Sequence, residues 1–181
     1  MAWRRSDGER GHGLARAERR DGGWLFSATE VLAGPETLLS CSFRVEVDDR
    51  WLTRAVEVAS VSDLGERRLV LTADGDRRWE RDGVRAPELD GCLDVDVAAT
   101  PLTNTFPIRR LAALGIGEEV TSPVAWVDVP ALGVTRVAQT YRRLGGDRWE
   151  YSDAAHGSFT LTVDDDGLVV DYAGFATRVA G

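Results

Sequence analysis

Ser40-Cys41-Ser42-Phe43-Arg44-Val45-Glu46-Val47-Asp48 alternates polar and apolar side chains without a break. A period of two places one set of side chains on each face of a strand, so this run reads as a strand with one face buried. Ser158-Phe159-Thr160-Leu161-Thr162-Val163-Asp164 has the same pattern, and looser versions occupy residues 24–31, 53–62, 67–73, 134–141 and 169–172. Between them stand Asp21-Gly22-Gly23, Asp48-Asp49, Asp74-Gly75-Asp76, Gly145-Gly146-Asp147 and Asp165-Asp166-Gly167, whose residues accept positive φ in tight hairpins. The chain therefore reads as an antiparallel meander. One helix is expected, over residues 107–114, with Pro107 in its first turn and Gly115 as its stop.

No composition shift or linker divides the 181 residues, so a single domain over 1–181 is expected, with residues 1–10 as a candidate loose end. All 22 basic residues are arginines. Without lysine there is no P-loop lysine, no Schiff base to pyridoxal phosphate and no Ser-x-x-Lys nucleophile. A net charge of −8 argues against a nucleic-acid partner, which needs a basic face to displace counterions. No stretch is long and apolar enough for stable membrane insertion, and no secretion signal opens the chain. Cys41 and Cys92 stand far apart and fit reduced core thiols, which places the protein in the cytoplasm.

The chemistry-bearing residues concentrate in residues 91–110, Gly-Cys-Leu-Asp-Val-Asp-Val-Ala-Ala-Thr-Pro-Leu-Thr-Asn-Thr-Phe-Pro-Ile-Arg-Arg. Strand geometry puts Asp94 and Asp96 on one face, about 7 Å apart, with Leu93, Val95 and Val97 on the other. Facing solvent, the aspartates are decoration; facing a concavity they need partners, because an unpaired buried carboxylate protonates. Arg109 and Arg110 are the nearest cations. Asn104, the chain's only asparagine, either fixes the loop through its backbone or offers an amide to a ligand. Among six tryptophans, Trp51 after a turn and Trp79 between arginines and Glu80 are the two candidates for ligand contact. His12, His156, Cys41 and Cys92 lack metal-ligand spacing, so no metal or other cofactor is expected. Asp153, His156 and Ser158 share one hairpin loop, where a working triad would draw on separate elements.

Trp51-Leu52-Thr53-Arg54, Trp79-Glu80-Arg81-Asp82-Gly83, the 91–110 segment and Tyr141-Arg142-Arg143-Leu144 together resemble the bacterial "putative glycolipid-binding" family, from about Trp3 to the final strand. The resemblance implies a mainly β fold: an antiparallel, strongly curved sheet forming a half-open barrel with one or two short helices, similar to bacterial lipoprotein carriers. It also implies a non-enzymatic role, in which the concave face shelters a small amphipathic ligand such as a lipid or glycolipid. Asp94, Asp96, Asn104, Arg109, Arg110, Trp51 and Trp79 are then the candidate ligand contacts. Two alternatives stay open: an enzyme, hydrolase or isomerase, using Asp94 or Asp96 as general base, and an interaction module without a ligand. The sequence carries no signature of oligomeric state.

Overall fold

The computed structural model describes residues 1–34 and 37–181. Its strands are β1 (Ala2–Arg5), β2 (Gly11–Arg20), β3 (Gly23–Ala33), β4 (Leu38–Asp48), β5 (Thr53–Ser62), β6 (Gly65–Ala73), β7 (Trp79–Arg81), β8 (Val84–Arg85), β9 (Asp94–Val97), β10 (Glu119–Val127), β11 (Val134–Gly145), β12 (Arg148–Asp153), β13 (Gly157–Val163), β14 (Val169–Tyr172) and β15 (Ala176–Ala180). All belong to one curved sheet in the order β8-β7-β6-β5-β4-β3-β2-β1-β15-β14-β13-β12-β11-β10-β9, which does not close on itself. The alternating run 40–48 lies in β4, paired along its length with β3 and β5. Cys41, Phe43, Val45 and Val47 are buried, while Ser42, Arg44 and Glu46 face solvent.

One pair departs from the expected antiparallel meander: β9 runs parallel to β10, in register Val124↔Asp94 to Val127↔Val97. Parallel neighbours need a crossover, and here residues 98–118 supply it with a 3-10 turn (Leu102–Asn104) leading into α1 (Thr105–Arg110). The helix therefore begins and ends earlier than the proline and glycine signals suggest. Pro107 falls third in α1, still within the first turn, where a missing N–H costs nothing. Within the stretch expected to be loose, residues 2–5 form β1 between β2 and β15, with Trp3 buried and its indole N–H donating to the Val169 carbonyl at 2.8 Å.

Curvature brings β9, at one end of the sheet, back against β5 near the other. The Thr53 amide at the start of β5 donates to the Leu93 carbonyl at 3.1 Å, and the Val95 amide donates to the Thr53 hydroxyl at 3.2 Å. Arg77, held at φ 61°, spans the same seam by donating to the carbonyls of Thr53, Cys92 and Leu93. The space enclosed is filled by the chain's own side chains. One cluster packs Phe26, Phe43, Leu69, Trp79, Val95 and Phe106, and a second packs Ile108, Tyr141, Trp149, Leu161, Val169 and Tyr172. No helix among the described residues is long and apolar enough to cross a membrane.

Candidate functional site

β9 is buried on both faces. Val95 and Val97 enter the main core, and the opposite face carries the two aspartates into different surroundings. Asp94 is 2% exposed and accepts two hydrogen bonds from the Arg110 guanidinium, at 2.7 and 2.6 Å. Burial pushes its pKa up, and the Arg110 charge opposes that rise. Arg110 also donates to the Trp51 carbonyl at 3.1 Å, so the pair ties α1 to both β9 and the turn before β5. Both Asp94 oxygens are engaged in this clamp.

Arg109 points elsewhere: its guanidinium lies 4.9 Å from the centre of the Trp51 ring, which stacks at 5.9 Å on Trp24. Gly167 leaves room for the Arg109 stem, since a Cβ there would come within 2.7 Å of Arg109 Cδ. Trp79 is 0% exposed, with its indole N–H donating to the Cys92 carbonyl at 3.1 Å; sealed in the core, it packs and is not offered to a ligand. The candidate contacts therefore separate into a clamp (Asp94, Arg110), a cation–aromatic stack (Arg109, Trp51), a core residue (Trp79), and two residues that share a pocket, Asp96 and Asn104.

That pocket measures about 170 Å³. Asp96, Thr100 and Asn104 reach it from β9 and the crossover, Trp126 from β10, and Tyr151, Phe159, Tyr172 and Phe175 form aromatic walls with His156 at the rim. The walls pack on one another, with ring centres of Phe159 and Tyr172 at 5.4 Å and of Tyr172 and Phe175 at 4.8 Å. Asp96 is 8% exposed and accepts from the Thr103 hydroxyl at 2.7 Å and from the Gln139 amide at 2.6 Å. Burial raises its pKa and the two neutral donors only partly offset that.

The chain of bonds continues outward. Gln139 donates to the Tyr151 hydroxyl at 3.0 Å, and Tyr151 donates to Asp153 at 2.5 Å. The His156 Nδ1 lies 3.0 Å from the same carboxylate oxygen. Burial pushes against ionisation of Asp153, but Tyr151, His156 and two backbone amides hold its pKa below the ordinary value. Asn104, 3% exposed, stands just before α1, yet its side chain makes no capping bond and its Oδ1 has no hydrogen-bond partner. The loop-fixing role is therefore not the one it plays. Beyond Thr100 lies a further buried acid, Glu30 on β3, whose carboxyl burial pushes up to about 7.

Sequence reasoning missed Gln139, Tyr151, Trp126, Tyr172 and Glu30, and it set His156 aside. One signal was available: Gln139 is the chain's only glutamine. The Asp153–His156 contact forms locally, but Ser158 is not among the residues that line the pocket. A larger hollow of about 590 Å³ crosses β2 to β6, flanked by the exposed Arg16, Arg44 and Arg68; none of the unpartnered buried side-chain atoms lies in it. Among the described residues, no group of His, Cys, Asp or Glu side chains is arranged to hold a metal ion.

Comparison with known proteins agrees with the fold. A DUF1089 family protein from Pseudomonas aeruginosa, known from a crystal structure, is 31% identical, superposes with a TM-score of 0.79, and the match covers 92% of each chain. No curated protein matches significantly. The model of one family, described as "Putative glycolipid-binding", matches residues 1–178, nearly the whole sheet and the entire pocket. The chain belongs to that family.

Proposed function

We propose that this protein binds an amphipathic, glycolipid-like molecule without transforming it, and that the ligand's polar head enters the pocket over Asp96 and Asn104. The observation that carries the reading is the unpartnered Oδ1 of Asn104: of the unpartnered buried side-chain atoms among the described residues it alone belongs to a residue lining this pocket, and an unmet buried acceptor is costly. Aromatic walls with a few convergent polar groups are the usual make-up of a small-molecule site. At about 30 Å³ per water molecule, the pocket has the volume of about six waters, the size of a head group and too small for an acyl chain as well. The sheet's interior is filled, so the apolar part would lie outside it, over the half-buried Phe159 and Phe175 at the mouth. Asp94, considered as a general base, has both oxygens held by Arg110 and does not line the pocket. The buried, unpaired thiols of Cys41 and Cys92 support a reducing, cytoplasmic setting.

Asn104→Leu separates binding from folding. Octyl glucoside, titrated below its micelle concentration and followed by tryptophan fluorescence, should saturate the wild-type protein and bind the variant at least tenfold more weakly. The variant's unfolding free energy should not fall and should rise by about 1 kcal/mol, since an unsatisfied buried acceptor is removed. Equal binding by the two proteins would overturn the placement of the head group.

A further inference from the structure

Resting on the pocket reading above, we infer that the head group carries a protonated primary amine, an ammonium flanked by hydroxyls, with Asp96 as its counter-ion and Asn104 as its second acceptor.

The first ground is a count of donors and acceptors. Around Asp96 the donors are spent: the Thr103 hydroxyl and one Gln139 N–H on Asp96 itself, Gln139 again on Tyr151, and the Tyr151 hydroxyl on Asp153. What the floor offers at Asp96 is acceptors: the unpartnered Asn104 Oδ1 beside it and, with a cation present to hold the carboxylate ionised, the lone pairs of a group that can accept about four bonds and here accepts two. A sugar hydroxyl can meet the donors left around the space, the Asn104 amide, the Trp126 indole and the Tyr172 hydroxyl, but it brings no charge to Asp96. An ammonium brings donors and no acceptor.

The second ground is the contrast between two aspartates on one strand. Asp94 has its guanidinium; Asp96 is almost as deeply buried, yet no basic side chain among the described residues reaches salt-bridge distance of it. Its partners are a neutral hydroxyl and a neutral amide. In a chain with 22 arginines, a buried carboxylate left without a cation at the floor of a pocket is the arrangement that a cationic ligand completes.

The third ground is the wall. Ring faces attract cations, most strongly where water is excluded, and Trp126, Tyr151, Phe159, Tyr172 and Phe175 surround the space above Asp96. The same rings would also pack on a sugar ring, so they support the inference only together with the acceptor floor.

Glucosamine and glucose differ by one ammonium and make the deciding pair. Each is titrated into the full-length protein at constant ionic strength, at a pH where the amine is protonated, with side-chain NMR signals of Trp126 and Tyr172 as the readout. Glucosamine should bind at least tenfold more tightly than glucose, and Asp96→Asn should erase that difference. Equal affinities, with both sugars shifting those signals, would overturn the ammonium while leaving the hydroxylated-head reading intact. No saturable shift from either sugar would overturn both. The wild-type comparison decides the matter even if Asp96→Asn fails to fold. Ethanolamine, run beside them, separates the sources: affinity matching glucosamine supports an amino-alcohol head, and weaker binding supports an amino-sugar ring.

Discussion

Arg110→Ala should lower the unfolding free energy by about 3–5 kcal/mol, the range found when one partner of a buried ion pair is removed and the other is left behind. Asp94 at 2% exposure has no water to fall back on, and its two acceptor bonds at 2.7 and 2.6 Å both come from this one guanidinium. The Trp51 carbonyl loses a donor at the same stroke. The planar fork matters as much as the charge, so Arg110→Lys should recover only part of the loss. If the penalty is Asp94 stranded in the interior, then Asp94→Leu combined with Arg110→Met should restore most of the stability, because an apolar pair of similar volume needs no solvation. Arg109→Ala, one residue away, removes an interaction with the Trp51 ring in a half-buried setting and should cost about 1 kcal/mol or less. Urea titrations of these four variants check the set, and a loss below about 1 kcal/mol for Arg110→Ala would mean that Asp94 does not depend on its partner.

How much of this the sequence discloses depends on where the partner surfaces come from. β4, β5 and β13 follow from alternation and turn residues because each has one wetter face, so the pattern records a single boundary between core and solvent. β10 hides behind Pro123, which reads as an interruption although it lies within the ladder opposite Ala138. β2 hides because Gly13, Ala15 and Ala17 are small and carry little hydrophobic signal. β9 misleads in a different way: its Asp-Val alternation promises one wet face, but the crossover it leads into folds over the aspartates. Which face they occupy is a property of the crossover and not of the strand. The same holds for the pocket. Asp96 and Asn104 stand out as rare polar residues in an apolar run, and the sequence points to them. Gln139 meets Asp96 across 43 residues and Tyr151 meets Gln139 across 12, pairings that only the sheet order creates. The aromatic walls take one ring each from β10, β12, β13 and β14, and Phe175 from the turn between β14 and β15.

Glu30→Gln should stabilise the protein at pH 8 by about 3 kcal/mol and leave it unchanged near pH 4. Glu30 lies on β3 between Gly13 and Cys41 of the neighbouring strands, 3% exposed, with its Oε1 unpartnered. The space it fills exists because residue 13 has no side chain: a Cβ there would lie 2.2 Å from the carboxylate. Burial raises its pKa from 4.5 to about 7, with the Thr100 hydroxyl and the Arg5 charge pulling the other way. A folded-state value above the unfolded one means that the native protein holds a proton the unfolded chain has released. The contribution is therefore fully present below about pH 4.5 and is lost as the pH rises through about 7. At 1.36 kcal/mol for each pH unit between those two values, the loss amounts to about 3 kcal/mol. Glutamine keeps the shape and cannot ionise, so its stability should be flat across that window while the wild type declines. Unfolding free energies of both proteins from pH 4 to pH 8 check the expectation, and parallel curves would show that Glu30 does not titrate there. Because Thr100 joins Glu30 to the pocket floor beside Asn104, ionisation also places a second negative charge beneath the site. A cationic head group held at Asp96 should accordingly gain affinity in the wild type as the pH rises through 7, and Glu30→Gln should remove the part of that gain that comes from beneath the floor.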